Sequence, residues 1–377
     1  MNTRTWMALL AGALALNVAS ADSSDWPCFR GSPVASAVAT SALPAKLRLL
    51  WTYEAGSEVK STAAIVGDTV YVATQGKALV ALGLANGKPR WRFTTKNRIS
   101  SSPCVMGGNV YAGDEGGTIY AVNAANGHPR WEFKTQGEVM SSPTPAPGAI
   151  LVGSYDNSLY KLDAATGRKI WAFEAEAQVH CAPCVVDKTV AIAGCDGSVR
   201  LINLQTGKQR AAISVGPHFA ATPAFGSGCL FVGGLEGDYL SVRLSDGKVM
   251  WKVRAGAVRR DCYASAAILG DAVVFASRDH TVFRLDRATG RLKWVFTTKG
   301  QVESSPVICG NRVFVGCEDG NLYALDLAQG GEVWHFAAGA AISASPAIGR
   351  DRLVIGTSDG AVYCFGLEAD HYGGTRR

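Results

Sequence analysis

Apolar and polar residues alternate along this chain in short runs, and the runs come in sets of four. One set comprises Ser102 to Val105, Val110 to Gly113, Thr118 to Val122 and Arg130 to Lys134. Gly107-Gly108-Asn109, Glu115-Gly116-Gly117 and the stretch from Ala124 to Pro129 separate them. Short β-compatible runs bounded by Gly, Asn and Asp predict antiparallel strands in sequence order. In the fourth run of a set, as in Trp131-Glu132-Phe133 or Trp171-Ala172-Phe173, Trp and Phe occupy alternate positions and so share one strand face.

The sets repeat. In the stretch from Asp163 through Gly167 to Trp171, an acid or amide is followed four residues on by Gly and four beyond that by Trp. The same spacing recurs at Asn123/Gly127/Trp131, Asp286/Gly290/Trp294 and Asp326/Gly330/Trp334, and in part at Gly87/Trp91 and Gly247/Trp251. With Trp51 at the head of the series, the tryptophans repeat every 40 residues, apart from one interval of 43 and an Ala in the slot at 211. An Asp or Asn side chain can cap the backbone two or three residues on, and Gly supplies the positive φ of the turn. A large ring at a fixed place in every unit is expected to be a wedge between neighbouring units, not a catalytic group.

Four-stranded units at this period predict an all-β fold, an eight-bladed β-propeller of four-stranded antiparallel blades. Eight inner sets begin near residues 61, 101, 141, 181, 221, 264, 304 and 344. The last set ends near Phe365 with no Trp strand, and the Trp51 strand has no preceding set. Leu47 to Tyr53 is therefore expected to pair with Val362 to Phe365 and close the ring, whereas an open solenoid would leave an unpaired edge. The expected organisation is a signal peptide over 1–21, an extended lead-in over 22–46 lying on the surface, the propeller over 47–367 and a flexible tail over 368–377.

Composition refines this. Arg4, the apolar run from Trp6 to Leu16 and Ala19-Ser20-Ala21 have the form of a cleaved secretory signal. No Cys lies beside the cleavage point to carry a lipid anchor, and no later stretch is long enough to span a bilayer. The expected location is periplasmic or secreted, as a monomer. Lys and Arg are scattered, so the formal charge of +6 does not point to nucleic acid. Ten Cys in an exported chain invite disulfides, but Cys104 and Cys184 share one repeat slot and Cys195 and Cys317 another, as small core residues would. A bond between Cys181 and Cys195 stays open. Cys181 and Cys184 have the spacing of a redox or zinc motif, but residues three apart on a strand face opposite ways.

The acid-Thr-Gly-Trp spacing, the Ser-Ser-Pro strand starts (Ser101-Ser102-Pro103, Ser141-Ser142-Pro143, Ser304-Ser305-Pro306), the Asp-Gly turns and the opening Asp25-Trp26-Pro27-Cys28-Phe29-Arg30-Gly31 resemble the PQQ-like β-propeller repeat family. The resemblance covers nearly the whole mature chain. It implies the fold, and it leaves two functional classes open, because the family holds quinoprotein dehydrogenases as well as cofactor-free propellers such as the outer-membrane assembly component BamB. The near-uniform repeat length has no room for the long insertions that build a quinone site. The chain also lacks an adjacent Cys-Cys pair and a Cys-x-x-Cys-His haem motif. The expectation is a non-catalytic protein-binding or scaffold module acting in the cell envelope, with no cofactor, PQQ included, and with another envelope protein as partner. A PQQ-dependent dehydrogenase and a propeller binding a carbohydrate or other small ligand are the alternatives.

Ligands of propellers commonly lie where the inner strands begin. Counting three residues before each Pro slot gives Lys60, Ser100, Met140, His180, Ala220, Tyr263, Glu303 and Ser343 at this mouth. The next row towards the N-terminus, from Val59 to Ile342, is almost wholly apolar and is expected to pack inward. The extra three residues of the long interval fall around Arg259, Arg260 and Asp261. With Arg278 and His280 in the same repeat, and His218, Glu236 and Asp238 in the preceding one, they form a mixed-sign patch that Tyr263, His180 and Glu303 extend to the channel. This patch is the candidate partner or ligand surface.

Overall fold

The computed structural model describes residues 23–216, 218–254 and 262–367; the expected signal peptide, the C-terminal tail and Arg259, Arg260 and Asp261 lie outside the described residues. The first blade comprises Ala64–Val66, Thr69–Thr74, Ala78–Gly83 and Pro89–Thr94, antiparallel and in sequence order from the axis outward. Blades two to seven repeat this over 104–134, 144–174, 184–214, 224–254, 267–297 and 307–337. The eighth takes Ala347–Gly349, Arg352–Gly356 and Ala361–Gly366 from the C-terminal end and its outer strand, Arg48–Glu54, from the N-terminal end. The expected closure is thus present, with Tyr53 opposite Val362. Middle strands are buried along their length, as in Thr69–Thr74, because both of their faces meet neighbouring blades; outer strands alternate, as in Lys169–Glu174.

The repeated turn works as its sequence implies. Asp163 Oδ1 accepts the amide N–H groups of Ala165 (3.1 Å) and Thr166 (2.8 Å) and the Thr166 hydroxyl (2.7 Å). Gly167 follows at φ 71°, and a Cβ there would stand 2.6 Å from the Trp131 ring of the preceding blade. The tryptophans are the wedges between blades. The indole N–H groups of Trp51, Trp91, Trp131, Trp171, Trp251 and Trp294 donate to a carbonyl of the next blade at 2.8–3.1 Å, and Trp334 meets Phe365 edge to face. At the junction that has Ala211, Ile213 lies against Gly247 instead.

The lead-in does not lie on the surface. It enters the channel at the end opposite the mouth, and Trp26, Cys28, Arg30, Ala35 and Ala37 are buried there. Its backbone meets one inner strand after another. Trp26 exchanges both backbone bonds with Ile65, and the carbonyls of Pro27, Pro33, Val34, Ser36 and Ala37 accept the N–H groups of Val105, Val185, Phe225, Ile268 and Ile308 at 2.7–2.9 Å. Ser24 O accepts Arg350 N–H in the eighth blade. The third blade carries Pro145 at the corresponding place, which has no N–H to give. Val38–Ala39 then adds a parallel fifth strand to the seventh blade. The physical reason for the burial is reciprocal satisfaction: the inner strands are edges facing the axis, and the plug supplies acceptors for their N–H groups.

The opening motif fastens the seam of the ring. Asp25 Oδ1 accepts Gly67 N–H of the first blade (3.0 Å) and pairs with Arg350 of the eighth (2.6 Å). Gly31, at φ 78°, sits on the Trp26 ring.

All ten cysteines are free. The bond left open between Cys181 and Cys195 does not form: Cys181 Sγ turns into the core, where Ala193 N–H donates to it (3.4 Å), while Cys195 Sγ is directed to Phe219 O. Burial pushes the thiols of Cys28 and Cys181 up to about 12, and Cys184 is raised by the same cause, so none of these is a thiolate at neutral pH.

Candidate functional site

The loops leading into the inner strands and the turns between second and third strands converge on one face. Backbone bonds join them, as from Tyr155 N–H to Glu138 O (2.8 Å) and from Glu318 N–H to Gln301 O (3.0 Å). The apolar row is buried as its composition implies: Val59, Ile99, Val139, Val179, Phe219, Cys262, Val302 and Ile342 are all at most 2% exposed. The row beside it faces the axis. Lys60, Ser100, Met140, His180, Ala220, Tyr263, Glu303 and Ser343 ring an open cavity of about 160 Å³ whose floor is Phe29 of the plug.

Five side chains join into an arc along this mouth. The Tyr155 hydroxyl lies 2.6 Å from His180 Nδ1. The His180 ring meets Tyr263 edge to face at 6.3 Å, across the small Ala220 of the blade between them. The Arg278 guanidinium stacks on Tyr263 at 4.3 Å and bonds Glu303. Burial lowers the pKa of His180, favouring the neutral ring, and raises that of Tyr155 to about 12. Beside them Glu318 is raised by burial and by the nearby Glu303 charge.

The other candidates lie further out on the rim. His218 is exposed, with Nδ1 2.6 Å from Cys195 O. Asp238 is buried and pairs with Lys252 and Arg254 (both 3.1 Å), with Glu236 3.9 Å from Arg254. These pairs tie the third strand of the fifth blade to its outer strand. His280 occupies a left-handed turn at φ 68°, and its carbonyl accepts the N–H and hydroxyl of Thr298. The structure therefore joins His180, Tyr263, Arg278 and Glu303, and leaves His218, Glu236, Asp238 and His280 apart from them. Tyr155 was missed as a site residue. It lies in a turn of the third blade, and only the three-dimensional arrangement of blades three and four brings its hydroxyl to His180.

The junction between blades five and six lacks a ring pair found at four others. There an outer-strand Phe meets a Tyr of the next blade edge to face, in Phe93–Tyr120, Phe133–Tyr160, Phe296–Tyr323 and Phe336–Tyr363 at 5.1–5.6 Å. Here the pair is Val253 and Phe283, and Phe283 leans instead on Tyr239 at 4.9 Å. The missing ring leaves an apolar groove of about 400 Å³ walled by Val253, Phe283, Leu285, Leu292 and Val295. Val253→Phe is expected to fill it and raise stability by about 0.5–2 kcal/mol, as cavity-filling changes commonly do. Urea unfolding of parent and variant checks this, and a lower midpoint for Val253→Phe would show that the groove cannot accept the ring.

The family model described as "Outer membrane protein assembly factor BamB" matches residues 38–132, 85–252 and 195–369, together nearly the whole propeller. The chain belongs to that family. No curated protein matches the chain. Among solved structures, BamB from Moraxella catarrhalis is 20% identical, with a TM-score of 0.75 over 87% of this chain and 99% of that one. The computationally designed Ika8 protein is 15% identical, with a TM-score of 0.75 over 88% and 99%. Quinohemoprotein alcohol dehydrogenase from Comamonas testosteroni is 14% identical, with a TM-score of 0.80 over 92% and 81%. At these identities the likeness is one of fold: the same ring serves an assembly factor, an enzyme and a designed protein.

Proposed function

We propose that the protein is a non-catalytic binding propeller of the cell envelope, taking part in outer-membrane protein assembly and engaging its partner through the mouth face of blades three to seven. The observation that carries this is the Tyr155–His180–Tyr263–Arg278–Glu303 arc. It is an aromatic and charged surface on an otherwise regular scaffold, and aromatic residues and Arg are the types enriched where proteins meet. Among the described residues its titratable groups pair with one another, Tyr155 with His180 and Arg278 with Glu303. The family supports the envelope setting. Among the described residues no helix is long and apolar enough to cross a membrane.

A resident quinone is the competing reading, favoured by the fold likeness to the Comamonas enzyme. The residues at the mouth do not fit it. Among the described residues no group of three or more His, Cys, Asp or Glu is placed to hold a metal ion. The axial cavity of about 160 Å³ is also below the 300–1,000 Å³ usual for organic ligands.

The test uses the mature protein, a Tyr263→Ala/Arg278→Glu variant, and an Arg168→Glu/Lys169→Glu variant on the opposite face as control. Each is used to capture partners from detergent-solubilised envelopes. Outer-membrane assembly components should be enriched by the parent and the control and lost with the mouth variant, and thermal circular dichroism should show all three folded. Equal enrichment by all three would remove the arc from consideration. Dye-linked alcohol oxidation by the parent given PQQ and calcium would overturn the non-catalytic reading.

A further inference from the structure

The Ser-Ser-Pro starts build a feature deeper than the mouth. Their second Ser, or its Thr equivalent, links each blade to the one before it. The hydroxyl oxygens of Ser102, Ser142, Thr222, Ser265, Ser305 and Ser345 accept the backbone N–H groups of Thr62, Ser102, Ala182, Thr222, Ser265 and Ser305 at 2.9–3.0 Å. The belt has two gaps. Ala182 has no hydroxyl, and Thr62 Oγ1 has no partner among the described residues. Every belt oxygen is thus an acceptor, which leaves its proton to donate. Among the described residues none of the six hydroxyls donates to a protein acceptor. All six line the axial cavity.

A buried cation lies just beyond. Arg30 is 1% exposed and follows Phe29, the floor of the cavity. Its Nη2 donates to Ala266 O (2.7 Å) and Pro306 O (2.8 Å), each one residue further along its strand than belt residues Ser265 and Ser305. One strand residue is about 3.3 Å. Neither acceptor is a carboxylate, and Nε and Nη1 have no partner among the described residues. Burial lowers the guanidinium pKa to about 9, still above neutrality, so the group remains charged. The carboxylate that lines the cavity, Glu303, is engaged by Arg278. A buried charge without a counter-ion is costly, and an orphaned donor adds to the cost.

We infer that the axial cavity is a binding site for a small free oxyanion, held by the hydroxyl belt and by the uncompensated charge of Arg30 beneath it. The belt offers donors on all sides of one axis, which suits a compact anion with several acceptor oxygens. The volume excludes large organic acids. The site lies beneath the partner-binding arc and does not depend on it.

The probes are selenate, sulfate and acetate at constant ionic strength in chloride. Crystals soaked in selenate are expected to show one anomalous peak on the axis between the belt and Phe29. In solution, sulfate or acetate should raise the melting temperature saturably, and comparison of the two reports whether a tetrahedral or a planar oxyanion is preferred. Arg30→Gln retains an N–H group for the carbonyls and removes the charge; it should weaken binding at least tenfold. Thr222→Val, which deletes a belt hydroxyl and leaves the Ala266 and Pro306 carbonyls that Arg30 holds in place, should weaken it several-fold and covers the case in which Arg30→Gln does not fold. No axial peak with selenate, or binding unchanged in the folded variants, would overturn the assignment.

Discussion

A chain lacking residues 23–54 will not form a soluble, cooperatively folded monomer. The deletion removes the outer strand of the eighth blade and with it the whole partner edge of Ala361–Gly366. It also removes the plug that satisfies inner-strand N–H groups around the axis. An uncovered strand edge templates association with other chains. A narrower deletion, 23–46, leaves Arg48–Glu54 in place and separates the two contributions. It is expected to remain monomeric with a lower melting temperature. Size-exclusion chromatography and thermal circular dichroism distinguish the outcomes; a monomeric, sharply melting protein from the larger deletion would refute the closure argument.

Trp171→Ala should lower stability by about 3–5 kcal/mol, the usual range for deleting a packed aromatic ring. Trp171 bonds Leu204 O and covers Gly207 of the fourth blade. The following junction already has Ala211 where a Trp would stand, so the substitution leaves the fourth blade without a wedge on either side. Amide exchange should then accelerate in Thr189–Ala193 and Ser198–Asn203 before it does elsewhere. Trp91→Ala, flanked by intact junctions, should show no such localisation. An unchanged urea midpoint for Trp171→Ala would mean that the ring is not a wedge.

Blade number, strand order and ring closure were legible because each is written many times over, at a period of 40 residues, and a repeated signal averages out local ambiguity. The wedge role of Trp and the inward row from Val59 to Ile342 followed from the same register. The plug was not legible. Residues 23–46 occur once, have no period to align, and take their partners from seven blades, so nothing local marks Trp26 or Arg30 as buried. The candidate site was legible by face but not by contact. Register placed His180, Tyr263 and Glu303 on the axis, yet the arc depends on Ala220 being small enough to let Tyr263 reach past it and on Tyr155 leaning over from another blade. The charges of Glu236 and Asp238 suggested a binding patch, whereas their Lys252 and Arg254 partners sit two strands of one sheet together.

The shared eighth blade sets an order of events for chain synthesis. Arg48–Glu54 emerges early but has no pairing partner until Ala361–Gly366 arrives, about 300 residues later. Closing so long a loop carries an entropic cost that grows only as the logarithm of its length, so the delay is in time more than in free energy. The plug meets the same constraint, because its contacts in the seventh and eighth blades do not exist until the end. A chain made in this order stays an open ring until its last strand is delivered, so native closure is the final step of folding.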